Sequence, residues 1–183
     1  MAAIEAASAG RPLRIMFQDE ARFGRLPVIR SAWAPLGVRP VVHAAIEREF
    51  RYIYGAVSPS EGDVDWMVTE SMNTENMNRF LFQVSDKYTD DYILMIVDGA
   101  SSHKGEKLNI PNNMAILCLP PYSPELNPVE HLWDELREKA CANVFFAKLD
   151  HVIDRAVDEL ESIARATARN ISMFLWPWII ALI

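Results

Sequence analysis

The stretch YILMIVD, residues 92–98, decides the fold that the sequence predicts. Its six apolar residues place hydrophobic side chains on both faces of a strand, as is typical of a central strand covered on both sides. Residues 13–18 (LRIMFQ) are a second short apolar run that also predicts a buried strand, which stops at Gln18 just before Asp19. Each apolar run is followed by an aspartate, Asp98 or Asp19. Because ligands gather at the carboxyl ends of strands in open α/β sheets, both aspartates are candidate site residues.

Further strands are predicted around these two runs. Residues 52–57 (YIYGAV) and 64–69 (VDWMVT) flank a Ser-Pro-Ser-Glu-Gly turn, so we expect an antiparallel hairpin. Residues 114–119 (MAILCL) predict another short buried strand, ended by the Pro-Pro pair that follows. Residues 31–34 are a candidate for a short strand between the first run and the hairpin.

Three helices are predicted from apolar residues at helical spacing. The first begins at Asn73 or Thr74, either of which suits the capping position. The second spans residues 128–140 and the third spans residues 148–165. The element order is strand, hairpin, helix, strand, strand, helix, helix. It predicts an α/β fold with a mixed sheet and helices packed on its faces.

Length and composition fit one core-forming domain: 183 residues, 50% hydrophobic and 23% charged. No stretch reaches the roughly 20 apolar residues of a membrane-spanning helix, and residues 1–10 lack the apolar block of a secretory signal. Cys118 and Cys141 have no metal-binding spacing and are expected to be buried and reduced, as in a cytosolic protein. The net charge of −7 argues against a stand-alone DNA-binding module, but it suits a domain that gathers carboxylates around metal ions.

Asp19 and Asp98 point to metal chemistry if their strands are neighbours. Two adjacent carboxylates repel each other, and divalent cations relieve that repulsion. A pair of such ions can activate a water molecule and stabilise the leaving oxygen of a phosphodiester, and oxygen ligands suit Mg²⁺ or Mn²⁺. The alternative is structural, since an aspartate after a strand often only starts a turn. The residues alone leave both interpretations open.

Glu130 also has two interpretations. Asn127, Pro128 and Glu130 match a variant of the capping box, in which the glutamate reaches back to the backbone of the cap residue. The local sequence favours this cap over a third metal-binding carboxylate. Glu125, in the Pro-flanked loop before the helix, is an alternative source of that carboxylate.

Several other polar residues carry weaker signals. Ser101, Ser102 and His103 stand together, but the G-x-S-x-G element of a nucleophile elbow is absent from the sequence, and close sequence neighbours rarely form a triad. His103 and Lys104 are better interpreted as DNA phosphate contacts or as the surface of a helix start. Arg22 is a candidate DNA phosphate clamp, although an exposed arginine is just as often a bystander.

Three blocks of sequence resemble a known family. They are QDEARF at residues 18–23, VDGASSHK at 97–104 and LPPYSPELNPVEHLW at 119–133, in that order. Together they strongly resemble the DDE-type catalytic domain of mariner-like insertion-sequence transposases. The third block is highly specific, because a generic Pro-rich turn would not reproduce its fifteen residues. The likeness covers residues 13–165, nearly the whole chain.

The resemblance implies a ribonuclease H-like fold, in which an antiparallel meander opens a mixed sheet with helices on both faces. It implies that Asp19, Asp98 and Glu130 form the catalytic and metal-binding triad, and it reverses the local preference for Glu130 as a cap. Asp19 would bridge two divalent cations, Mg²⁺ or Mn²⁺, and the other two carboxylates would each help to hold one. Water would first cut DNA at an element end. The freed 3′-hydroxyl would then attack target DNA, usually at a TA dinucleotide.

The resemblance also bears on partners. Relatives carry N-terminal helix-turn-helix modules that recognise the element ends, whereas twelve residues precede the first predicted strand here. We therefore expect the second product of a split reading frame, or a truncated copy. It would act on DNA in the cytoplasm, associated with the nucleoid, as a homodimer or with a separate helix-turn-helix subunit. Thirty-one residues separate Asp98 from Glu130, slightly fewer than in many relatives.

The expected domain organisation has three parts. These are an N-terminal tail over residues 1–12, a ribonuclease H-like catalytic domain over 13–165 and an apolar C-terminal tail over 166–183. Residues 173–183 (MFLWPWIIALI) are too short to span a bilayer. We expect them to pack on the sheet, the alternative being a sticky patch that recruits a partner.

Other functions stay open beside a transposase catalytic domain. One is a catalytically inactive transposase remnant that acts by association. Another is a related ribonuclease H-like nuclease that cuts DNA without joining it. A glycosidase built on a carboxylate pair is chemically conceivable, but the sequence lacks the aromatic pattern that such enzymes often show.

Overall fold

The computed structural model of the protein describes residues 8, 10–44, 46–98 and 108–181. Its centre is a five-stranded sheet with strand order β3-β2-β1-β4-β5. The strands are β1 (Leu13–Gly24), β2 (Phe50–Ser58), β3 (Asp63–Thr69), β4 (Tyr92–Val97) and β5 (Met114–Cys118).

The sheet is mixed. Strands β1, β2 and β3 form an antiparallel meander, whereas β4 and β5 run parallel to β1. Both the predicted hairpin and the predicted central strand are therefore confirmed, and β4 has the bounds that its apolar run predicted. All six side chains of β4 are buried, because helices cover both faces of the sheet.

Strand β1 is longer than expected. The prediction that it stops at Gln18 is wrong, because its antiparallel pairing with β2 continues as far as Gly24, which lies opposite Phe50. Its parallel pairing with β4 ends earlier, at the pair Phe17 and Ile96. Asp19 thus lies within β1, just beyond the point where the parallel neighbour ends.

Five helices and two short turns complete the described fold. Helix α1 begins at the predicted cap, where Asn73 Oδ1 accepts a hydrogen bond from the backbone N–H of Asn76 at 2.8 Å. Helix α2 continues as a π-helical turn, and a 3-10 turn precedes it. The helices are α1 (Thr74–Lys87), α2 (Val129–Leu136), α3 (Leu149–Ala164), α4 (Thr167–Phe174) and α5 (Pro177–Ile180); the 3-10 turn is Pro124–Leu126 and the π turn is Arg137–Cys141.

Two hydrophobic cores lie on opposite faces of the sheet. On one face, Met16 and Met95 pack against α1 residues such as Phe80. On the other face, Phe17 and Leu132 belong to a larger core that the remaining helices cover. Each fully buried Leu or Phe contributes about 1.5–3 kcal/mol to folding. The predicted placement of helices on both faces is confirmed.

The C-terminal segment closes the larger core. Phe174 and Ile179 are fully buried, and the Trp178 ring meets the Phe17 ring edge-on with a centroid distance of 5.8 Å. This segment packs on the sheet as expected. Among the described residues, no helix combines the length and the apolar character that crossing a membrane requires.

Two expectations are wrong. Residues 31–34 form no strand, because the connection from β1 to β2 is irregular and is tied down mainly near its start, by the bridge between Val28 and Ala142. Cys118 is exposed at the end of the edge strand β5, where one side of the strand has no neighbour; Cys141 is buried, and both thiols are free.

Candidate active site

Three carboxylates from distant parts of the sequence line one cleft of about 410 Å³. Asp19 comes from β1, Asp98 directly follows β4, and Glu130 lies in the first turn of α2. The opposite wall is the Pro-rich segment after β5, including Pro120, Tyr122 and Asn127 among others. The structure therefore brings together the three acidic residues that the sequence singled out.

The strand register explains why two of these carboxylates meet. Phe17 of β1 pairs with Ile96 of β4 in the parallel ladder. Asp19 and Asp98 each stand two residues further along, so they occupy matching positions where β4 ends. Neighbouring strands are about 4.8 Å apart, and the carboxylates therefore emerge side by side at this edge.

Trp133 of α2 holds the Asp19 carboxylate. Its indole Nε1–H donates a hydrogen bond to Asp19 Oδ2 at 2.9 Å, and the ring is almost completely buried. Gly55 lies opposite Asp19 on β2 and makes room for the ring. A Cβ atom at Gly55 would lie 2.5 Å from Trp133 Cη2, closer than any real contact allows. Trp133 thus fixes the Asp19 carboxylate, and Gly55 leaves the space that the Trp133 ring needs.

Asn127 joins the Pro-rich segment to β1. Its side-chain Nδ2 donates to the carbonyl of Gln18 at 3.1 Å, and its Oδ1 accepts from the N–H of Val129 at 3.1 Å. The residue is 3% exposed. Because one amide contacts both the strand before Asp19 and the start of α2, it positions Glu130 relative to Asp19.

The capping interpretation of Glu130 is wrong. In a capping box, the glutamate would accept a hydrogen bond from the backbone N–H of Asn127. That N–H donates instead to the carbonyl of Pro124 at 2.9 Å. At the start of α2 it is the Asn127 side chain, not Glu130, that accepts a backbone hydrogen bond, from the N–H of Val129. Glu125, the alternative carboxylate, is exposed on the 3-10 turn and does not line the cleft. Of the two glutamates, Glu130 alone faces Asp19.

The cleft raises the pKa of Asp19 from its ordinary value of 3.8 to about 7. Burial is the main cause, since it disfavours the charged form. The negative charges of Glu130 and Glu20 add to the rise, whereas the hydrogen bond from Trp133 opposes it. The negative charge of Asp19 is therefore poorly stabilised in the cleft, and a nearby positive charge would stabilise it.

The donor set fits divalent cations. All three side chains offer carboxylate oxygens, the ligand type that Mg²⁺ and Mn²⁺ prefer. Within the described ranges, no group of three or more His, Cys, Asp or Glu side chains is arranged to hold one ion. The chemistry of the donor set alone thus makes these residues candidate ligands for divalent cations.

Of the predicted DNA contacts, none lines the cleft within the described residues. Arg22 is exposed on β1 outside the cleft, and its guanidinium sits over the Phe50 ring with a distance of 4.8 Å to the centroid. His103 and Lys104 lie outside the described residues, as do the neighbouring serines.

Sequence reasoning missed Gly55, Asn127 as a tether and Trp133 as the partner of Asp19. Two signals were available for them. An isolated glycine inside a strand often marks close approach by another group. A tryptophan on the apolar stripe of a helix needs a hydrogen-bond acceptor when it is buried. Neither signal identifies the partner, because Trp133 and Asp19 are 114 residues apart.

An antiparallel meander continued by two parallel strands, with carboxylates where the parallel pairing ends, defines a ribonuclease H-like domain. The sequence matches the DDE superfamily endonuclease family over residues 14–153, well over half of the chain. The chain belongs to that family, and it is a DDE-type endonuclease domain.

Similar proteins agree with this assignment. The uncharacterised protein y4pE/y4sA of Sinorhizobium fredii (strain NBRC 101917 / NGR234) is 31% identical over 128 residues, which are 69% of this chain and 95% of that protein. The Mos1 transposase paired-end complex with the left transposon end has a TM-score of 0.62 and 17% identity. The Mos1 mariner paired-end complex with Mn has a TM-score of 0.63 and 17% identity. Each match covers 88% of this chain and 53% of the Mos1 chain, so this chain spans about half the length of those proteins. The likeness shows that this chain shares the fold of those proteins.

Proposed function

We propose that this chain is the catalytic domain of a transposase, which cuts DNA at the ends of an insertion element and joins them to target DNA. One observation carries the proposal. Carboxylates from β1, the end of β4 and the start of α2 share one cleft, and the Asp19 carboxylate is fixed there by Trp133. Such convergence is needed for phosphodiester chemistry and is not needed for folding.

Asp19, Asp98 and Glu130 would hold two divalent cations, Mg²⁺ or Mn²⁺, with Asp19 contributing to both ions. Ions of this kind supply Lewis-acid activation of a water or hydroxyl and stabilise a leaving oxygen. The high pKa of Asp19 supports this role, because burial beside Glu130 leaves a negative charge that a cation would neutralise. The Mos1 mariner paired-end complex with Mn is a precedent in a protein of the same fold.

The protein's own residues would orient the reaction. Trp133 keeps Asp19 in one rotamer through its indole hydrogen bond, and Asn127 keeps the start of α2 against β1. Both side chains are almost completely buried, so both restrain the carboxylates before any ligand arrives. This preorganisation reduces the cost of assembling the site on DNA.

Arg22, His103 and Lys104 would contact the DNA backbone near the cleft. The net charge of −7 supports the further proposal that a separate helix-turn-helix subunit reads the element ends, as in a split transposase. The assembled form would be a homodimer or a complex with that subunit, and the target would be a TA dinucleotide.

The test is cleavage of a labelled duplex carrying the element end, with Mg²⁺ or Mn²⁺ and with the helix-turn-helix subunit present. We expect Asp98→Asn and Glu130→Gln to abolish cutting, since each removes a carboxylate from the cleft. Glu125→Gln is the matched control, because it makes the same chemical change outside the cleft. Equal cutting by the control and the two cleft variants would exclude the proposal.

A strand-transfer assay separates the alternatives. Product joined to target DNA identifies a transposase. Cutting without joining identifies a related nuclease. Absence of both activities from the wild-type assembly identifies an inactive remnant.

A further inference from the structure

A second hollow, of about 450 Å³, lies at the carboxyl end of β1, where Phe23 and Gly24 line it. Three arginines line it: Arg22 from β1, Arg48 from the chain just before β2, and Arg137 from the π turn after α2. We call this hollow, defined by those three arginines, the basic groove. It is separate from the carboxylate cleft, since the two share no lining residue.

The three arginines are not neutralised by acids. Within the described part of the chain, none of them forms an ion pair. Arg22 rests on the Phe50 ring, and Arg137 lies over the Phe23 ring at 5.6 Å from its centroid. The acidic residue in the wall, Glu49, is engaged by Arg25 at 2.8 Å. The groove therefore exposes net positive charge.

The positive surface continues into a neighbouring hollow of about 580 Å³, which shares Arg48, Glu49 and Phe50 with the basic groove. Two acidic residues, Glu49 and Asp150, line the two hollows together. Against them stand six cationic residues: Arg22, Arg25, Arg48, Arg51, Arg137 and Lys148. Arg25 and Arg51 also pair with Glu47 and Glu70, which lie outside the lining. Six cations against four acids still leave a local excess of positive charge, the reverse of the net charge of −7.

Backbone contacts hold the wall of the groove in shape. Val28 forms a parallel bridge with Ala142 across the groove end. Next to it, Asn143 binds Arg30 twice: its Oδ1 accepts from the Arg30 N–H, and its Nδ2 donates to the Arg30 carbonyl, both at 3.0 Å. The loop that leaves β1 is thereby fixed to the turn after α2, so contacts within the chain set the shape of the groove.

We propose that the basic groove binds the sugar–phosphate backbone of the DNA whose reacting phosphate lies in the carboxylate cleft. This inference rests on the proposed function. Glu130 of the cleft and Arg137 of the groove stand seven residues apart on α2 and the π turn that continues it, which is two turns and about 10 Å along one side of the helix. That distance equals roughly three base-pair steps of 3.4 Å, so one duplex can touch both sites. Planar guanidinium groups without acidic partners suit phosphate oxygens.

The experiment measures DNA binding by fluorescence polarisation over a series of salt concentrations, in EDTA so that no cleavage occurs. Each phosphate contact contributes about 0.9 to the slope of log K against log salt. We expect the double variant Arg48→Gln/Arg137→Gln to lower the magnitude of that slope by about 1.8. The matched control is Arg79→Gln/Arg165→Gln, which removes the same charge from exposed positions on α1 and at the end of α3. It should keep the wild-type slope.

A charge-conserving variant guards against a folding effect, since Arg137 packs on Phe23. Arg48→Lys/Arg137→Lys should restore most of the slope, and the glutamine variant should keep the wild-type circular dichroism spectrum. Equal slopes for the groove variant and the matched control would overturn the inference, as would absence of wild-type binding at low salt. If poly-glutamate displaced the labelled DNA as strongly as unlabelled DNA does at equal charge, the groove would be assigned to an acidic protein partner instead of DNA.

Failure here is distinguishable from failure of the proposed function. A groove variant that keeps the wild-type salt slope, with intact metal-dependent cutting, would reject the groove alone. Cutting that survives Asp98→Asn, with the salt effect intact, would reject the carboxylate chemistry alone.

Discussion

The carboxylate cleft and the basic groove are nearly equal in size, about 410 and 450 Å³, yet opposite in charge. Strand β1 contributes to both, with Asp19 in the first and Arg22 in the second. The same strand thus supports two different kinds of surface within three residues. Residues three apart on a strand point to opposite faces of the sheet, and the antiparallel pairing with β2 keeps β1 extended past Arg22.

The two sites also differ in how firmly their side chains are held. Asp19 is half-buried and fixed by the Trp133 hydrogen bond, with Gly55 giving the ring its space. Arg22 and Arg48 are exposed. We therefore expect changes in the cleft to alter chemistry and metal binding, and changes in the groove to alter DNA affinity alone.

The largest effect is expected for Asp19→Asn. Loss of the carboxylate that both ions would share should slow DNA cutting by at least about 10³-fold, equivalent to about 4 kcal/mol. DNA affinity in EDTA should stay at least as high, because the basic groove is untouched. Cleavage kinetics and polarisation binding on the same preparation check both parts. Parallel losses of cutting and affinity would show that the two sites are not separate.

The same variant should be more stable than the wild type at pH 8. The folded-state pKa of Asp19 is raised from 3.8 to about 7, so the folded protein holds this proton more tightly than the unfolded chain. That contribution is complete below pH 4 and is lost as the pH rises through 7. Removing the charge should therefore raise the free energy of unfolding at pH 8 by about 1–2 kcal/mol after solvent screening, and by nothing near pH 4. Denaturant unfolding of both proteins at the two pH values tests this. The prediction is contradicted if Asp19→Asn differs from the wild type in free energy of unfolding by the same amount at pH 8 and pH 4.

Gly55→Ala should damage the cleft through packing. Its new Cβ atom would meet the Trp133 ring at 2.5 Å, so the ring must shift and carry its hydrogen bond away from Asp19. Overpacking of this kind costs about 1–3 kcal/mol of stability. We expect a lower thermal midpoint together with weaker Mn²⁺ binding, and a wild-type salt slope for DNA. A midpoint equal to that of the wild type would mean that the ring does not lie against Gly55.

Trp133→Phe isolates the hydrogen bond from the packing. The phenyl ring keeps most of the apolar contact but cannot donate to Asp19. Loss of a group that orients a metal ligand typically costs 10–100-fold in metal affinity or activity. Titration calorimetry with Mn²⁺ should show a loss in this range, with little change in stability. Unchanged Mn²⁺ affinity would show that Trp133 contributes to packing of the core and does not orient Asp19.

A change of one pH unit should give the smallest effect on metal binding. Because the Asp19 pKa is about 7, Mn²⁺ must displace a proton below that pH, and its apparent affinity should fall by about tenfold per pH unit between pH 7 and 5. Above pH 8 the affinity should level off. DNA binding to the basic groove should show no such dependence, since arginines stay charged. A flat Mn²⁺ profile across this range would contradict the assigned pKa.

Much of the fold could be predicted because its signals are local. The six apolar residues of β4, the turn between β2 and β3, and the cap at Asn73 each depend on a few consecutive residues. The extension of β1 past Asp19 could not be predicted in this way. Its polar middle does not look like a buried strand, and pairing with β2 decides it.

The candidate site divides in the same manner. Asp19 and Asp98 were visible as residues that follow apolar runs, and the third block of resemblance singled out Glu130. The roles of Trp133 and Gly55 depend on contacts between residues far apart in sequence, and so does the basic groove. Such juxtapositions follow from strand register, which no single segment encodes.

The most direct measurement of the central claim is Mn²⁺ soaked into crystals of the protein and located by anomalous scattering. We predict density in the cleft, with the carboxylates of Asp19, Asp98 and Glu130 as protein ligands and Trp133 still bonded to Asp19. Density at other acidic residues, with Glu130 turned away and the cleft without Mn²⁺ even when a DNA end is bound, would contradict the assignment of this cleft as the catalytic centre.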